Sequence, residues 1–200
     1  MRKDGRGEKL SSGWRTGSSY GIFLSHSADD AQLVLGIKAQ LGALGVAVYL
    51  YEEHAEPGRS IPDKLQEAIR QCDALVALLT PASATRSFVH DEIGYALGQG
   101  ITAVALVTPG VAPEKLGMLQ GEYIPLDPSN PLIGMAELTR FLNEQARQRL
   151  AAQERREAAV VAREQELARQ KRQTDELLQA IVLLAALVAV GYAASHTSGG

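Results

Sequence analysis

Within the 200-residue chain, one segment combines residue types and spacing that could do chemistry: Ser87-Phe88-Val89-His90-Asp91-Glu92-Ile93-Gly94-Tyr95-Ala96-Leu97. On a helix, residues three and four apart are neighbours. Phe88 and Glu92 therefore stand together, Tyr95 lies beside Glu92, and Asp91 is turned about 100° away. A carboxylate next to an aromatic ring near strand ends could be a reactive acid in a partly dry pocket. A surface glutamate on an amphipathic helix would show the same spacing, and spacing alone favours that plainer reading.

Other chemistries lack their residues. The chain has no GxxxxGK[ST] phosphate loop, no GxGxxG after a strand and no GxSxG elbow. His26, His54, His90 and His196 lack metal-ligand spacing, and the lone Cys72 excludes both an internal disulfide and a four-cysteine zinc site. A net charge of −3 excludes a strongly basic nucleic-acid binder. With hydrophobic residues at 46%, the chain has enough apolar mass for a core.

The elements that would position Glu92 alternate between strand and helix. Tyr20–Ser25 reads as a buried strand, followed by the capping residues Ser27, Asp29 and Asp30 and a helix ending near Gly45. Val46–Tyr51 is a second strand, Ala55–Ile61 a loop turning at Pro57-Gly58, and Pro62 opens a helix to about Gln71. Ala74–Leu79, Thr102–Val107 and Tyr123–Leu126 are further strands, with helices at Phe88–Leu97 and Leu132–Leu142. This alternation predicts βαβ units in an α/β fold. The expected architecture is a flavodoxin-like, doubly wound, five-stranded parallel sheet with its site beyond the strands' carboxyl ends.

Outside this domain, residues 20–142, the composition changes. Residues 1–19 form a Gly/Ser-rich tail with five basic residues. Residues 143–176 hold eight basic and seven acidic residues without Gly or Pro, which predicts a charged helical stalk, either solvated or a weak coiled coil. Leu177–Ala194 is uncharged over eighteen residues. As a helix it would span about 27 Å against a hydrocarbon core of about 30 Å, and it is expected to be a single transmembrane helix. Arg163, Arg169, Lys171 and Arg172 precede it and no Lys or Arg follows, so the domain is expected in the cytoplasm, with 195–200 a short tail on the far side.

Three boxes within Tyr20–Leu142 resemble those of the TIR domain family. Phe23-Leu24-Ser25-His26-Ser27 is similar to the first box, Glu56-Pro57-Gly58-Arg59 to the tip of the BB loop, and Phe88 to Glu92 to the WxxxE motif with Phe in place of Trp. The resemblance implies either an assembly module or an enzyme that cleaves NAD, with Glu92 as the catalytic residue. It places substrate contacts at Phe23, Ser25, His26, Tyr51, Glu56, Gly58, Arg59 and Phe88. It implies no metal and no separate cofactor, since NAD is the substrate. Other TIR domains, in a homo-oligomer, and the lipid bilayer are the remaining expected partners. The alternative is a non-catalytic adaptor that docks another TIR domain through Pro57 and Arg59.

Overall fold

The computed structural model describes residues 19–54, 60–121 and 123–197, with His54 and residues 187–197 in backbone only. Five parallel strands, β1 (Gly21–Ser25), β2 (Ala47–Tyr49), β3 (Ala74–Leu79), β4 (Thr102–Val107) and β5 (Tyr123–Pro125), lie in the order β2-β1-β3-β4-β5. The helices are α1 (Ala31–Ala43), α2 (Ile61–Gln71), α3 (Ser87–Gly98) and α4 (Leu132–Thr197). The chain reverses its direction of travel across the sheet between β1 and β3. In open α/β sheets that reversal opens a crevice at the strands' carboxyl ends.

Alternation along the buried strands builds two cores. Ala74, Val76 and Leu78 of β3 join Ile22, Leu24, Val104 and Leu106 under α1 (Val34, Ile37, Leu41) and the start of α4 (Met135, Leu138, Leu142). Leu75, Ala77 and Leu79 face the other way, with Phe23 and Tyr49, under α2 (Ala68, Ile69) and α3 (Val89, Ile93, Ala96). Coverage on both faces explains why the strands read as continuous apolar runs.

Local chemistry sets the element ends. Ser60 Oγ accepts the backbone N–H of Asp63 at 3.3 Å and Pro62 sits in the first turn, which together start α2. Gly45, at φ +80°, lets the chain leave α1 for β2. The second strand is shorter than its apolar run suggests. As an edge strand it pairs only with β1, from Gly21↔Ala47 to Phe23↔Tyr49. Tyr51–His54 then coil into a 3-10 turn, tied to α1 by the Lys38–Glu53 ion pair.

The chain divides into two units, Met1–Glu144 and Gln145–Gly200. In the second unit, Leu150, Val160, Val161, Leu167 and Leu177 are exposed on the helix. The expected transmembrane helix is not supported. Among the described residues no helix is long and apolar enough to cross a membrane. Residues 187–194 lie outside the side-chain description.

Candidate functional site

Glu92 is carried by α3 on the edge of its buried stripe. Val89, Glu92, Ile93 and Ala96 follow the i, i+3, i+4, i+7 spacing of a core-facing helix, and all four are buried. Glu92 is only 8% exposed, so it is not the surface glutamate that spacing alone allowed. Asp91 is exposed. Tyr95 packs against the α2–α3 core rather than lining the cavity beside Glu92.

The carboxylate meets the carboxyl end of β1. The hydroxyl of Ser25, itself 1% exposed, donates a hydrogen bond to Glu92 Oε2. Desolvation raises the Glu92 pKa from an ordinary 4.5 to about 7, and the negative charges of Glu52 and Asp91 push the same way. The Ser25 hydrogen bond pulls it down. The group therefore changes charge near neutrality.

A cavity of about 200 Å³ opens beside this pair. Phe23 and Ser25 of β1, His26, Tyr51, Phe88 and Glu92 line it, so the fold brings six of the nine sequence-predicted site residues together. Phe88 is 41% exposed and offers a ring face at the rim. Phe23 is 2% exposed and stacks on Tyr49, with ring centroids 5.7 Å apart, so it forms floor rather than rim. Glu56, Gly58 and Arg59 lie outside the described residues.

His26 is anchored to the strand it follows. Its Nδ1 lies 3.0 Å from the carbonyl oxygen of Leu24, which can only accept, so Nδ1 carries the proton. Its Nε2 faces Glu52 Oε1 at 3.6 Å. Leu24, Glu52, Ile61 and Leu65 line the cavity but were missed as site residues. Glu52 follows the second strand directly, at a strand end where function is expected. Ile61 and Leu65 are one helical turn apart on α2, a spacing that puts them on one face.

Neighbouring contacts fix the segments that carry the site. Thr80, after β3, donates to Asp30 Oδ1 at 3.0 Å, and its backbone N–H donates to Ser83 Oγ at 2.8 Å. Arg86, at the start of α3, reaches Asp29 at 3.1 Å. These bonds join the loops after β1 and β3, the loops that lead into α1 and α3. Among the described residues no cluster of three or more His, Cys, Asp or Glu could hold a metal.

The sequence model of the TIR domain matches residues 22–131. No curated protein matches the chain. Among solved structures, the TIR domain of the Toll-related receptor TRR-2 from Hydra magnipapillata superposes with a TM-score of 0.51 at 13% identity. That match covers 61% of this chain and 97% of that one. The TIR domains of the Roq1 resistosome, which recognises the effector XopQ, give 0.42 at 20% identity, over 49% of this chain and 62% of theirs. This chain thus spans less than two thirds of the Roq1 chain. The CMP N-glycosidase BcmB of Clostridium botulinum gives 0.42 at 18% identity, over 60% of this chain and 98% of that one.

Proposed function

This chain belongs to the TIR domain family, and on that footing we propose that it is an NAD glycohydrolase in which Glu92 is the catalytic residue. The observation that carries the reading is the buried Glu92 carboxyl, bonded by Ser25, at a cavity that also presents the Phe88 ring. Breaking the bond between nicotinamide and ribose leaves positive charge on the sugar. Nicotinamide departs as a neutral molecule, so no second acid is needed to protonate it, unlike the leaving oxygen of an ordinary glycoside. A single anion beside the sugar suffices, and in a water-poor site its attraction is stronger than in bulk. Phe88 supplies a face on which a planar base can stack. Water capture gives ADP-ribose, and internal capture gives a cyclic form.

Activation by self-association is part of this proposal, since TIR domains commonly self-assemble. Pockets that engulf a drug-sized ligand measure about 300–1,000 Å³, and NAD is larger than most drugs. The described wall is a cavity of about 200 Å³, to which the loop at residues 55–59 or a neighbouring TIR domain would add. Such an enzyme would consume NAD in immune or cell-death signalling. A membrane tether at Leu177–Ala194, with the domain in the cytoplasm, is proposed from the sequence alone and would raise the local concentration of domains.

A second reading, an adaptor that signals by TIR–TIR docking without catalysis, is favoured by the exposed apolar rim. Ile61 is 59% exposed beside Phe88. Nicotinamide release by the clustered full chain decides between the two. The enzyme reading requires turnover that disappears in Glu92→Gln. Absence of turnover from a folded, clustered wild-type chain leaves the adaptor.

A further inference from the structure

Ser25 has a role that its place in the first box does not assign. We propose that Ser25 is a positioning residue for Glu92, its hydroxyl fixing one carboxylate oxygen and favouring the charged form on which the chemistry depends; the proposal rests on the glycohydrolase reading for its kinetic consequence. Ser25 ends β1, in register with Ala77 of β3, so its Cα is held by a ladder on the central strand. Its side chain is 1% exposed and donates to Oε2 of Glu92, sixty-seven residues away in sequence. Among the described residues no other donor reaches that carboxylate. With Oε2 occupied, Oε1 is the oxygen left to face a cationic sugar or accept its hydroxyls.

The hydroxyl also has an electrostatic consequence. A carboxylate ion accepts a hydrogen bond more strongly than a neutral acid does, so a donor favours the anion. The other influences on Glu92, desolvation and two like charges, work against the anion. Glu52, on the turn after β2, and Asp91, on α3, bring negative charge. Ile61 and Leu65 of α2 and Phe23 of β1 bring only apolar surface. His26 lines the same cavity, but its Nε2 is directed at Glu52. Leu24, Tyr51 and Phe88 complete the described wall. Ser25 is therefore the one group that resists neutralisation of Glu92 among those described.

The test is a titration that needs no activity. The full chain is labelled with ¹³C-carboxyl glutamate, and the Glu92 signal is identified by its loss in Glu92→Gln. Ser25→Ala should raise the Glu92 midpoint by about one to two pH units, the size expected for a hydrogen bond to a charged group. Ser25→Thr, which restores the hydroxyl, should bring it back. In the same samples, NAD turnover at pH 7 should fall roughly tenfold in Ser25→Ala and recover at higher pH. A Glu92 midpoint unmoved in folded Ser25→Ala overturns the proposal. If Ser25→Ala loses its fold by circular dichroism, Ser25→Cys, a weaker donor of similar size, takes its place with a smaller expected rise. Lack of NAD turnover in the wild type contradicts the glycohydrolase reading and leaves the midpoint comparison intact.

Discussion

Glu92 meets two opposed demands. Its neighbours on α3, Val89, Ile93 and Ala96, require a dry stripe, while stabilising a cation requires a charge. Its pKa near 7 follows from that conflict. Below pH 4.5 both folded and unfolded chains hold the proton. Between about 4.5 and 7 only the folded chain does, so stability falls as pH rises through this window and levels off above it. Urea unfolding should therefore show the wild type less stable at pH 8 than at pH 5, by on the order of 3 kcal/mol from this group. Glu92→Gln should be the more stable protein at pH 8 and should lose this contribution. The rate should follow the charged form, rising with pH and levelling above about 7. Glu52→Gln removes a like charge, so the rising limb of its pH–rate profile should move toward lower pH. Phe88→Ala should raise KM for NAD about tenfold, the loss of one stacked base, with kcat less affected.

Elements were legible in proportion to how fully they are buried. β3 and β4 sit inside the sheet, and their apolar runs Ala74–Leu79 and Thr102–Val107 matched the observed strands. β2 is an edge strand and ends where its pairing ends, a limit no hydropathy pattern encodes. The burial of Glu92 was partly legible. Pairing it with Phe88 at i+4 left its face open, whereas grouping it with Val89, Ile93 and Ala96 puts it in the core stripe. The Ser25–Glu92 bond was not legible, because only the packing of α3 on the sheet brings the two together. Close packing also constrains α4. A Cβ at Gly134 would sit 2.5 Å from the carbonyl oxygen of Pro125 and 3.2 Å from Leu126 Cα. Gly134→Ala should thus destabilise the domain by about 1–3 kcal/mol in denaturant unfolding, leaving the Glu92 titration in place because α4 packs on the opposite face of the sheet.

At the scale of the whole molecule, the proposal includes activation by self-association, a habit common among TIR domains. If neighbouring domains complete the site as proposed, turnover should rise faster than linearly with the density of domains. The stalk and the uncharged segment after it would set that density. The measurement that reaches the central claim most directly is nicotinamide release from NAD by the full chain clustered on vesicles, wild type beside Glu92→Gln. The account predicts turnover by the wild type and a loss of at least a hundredfold in the variant, in line with removing one preorganised charge from an active site. Equal turnover by both chains would contradict it.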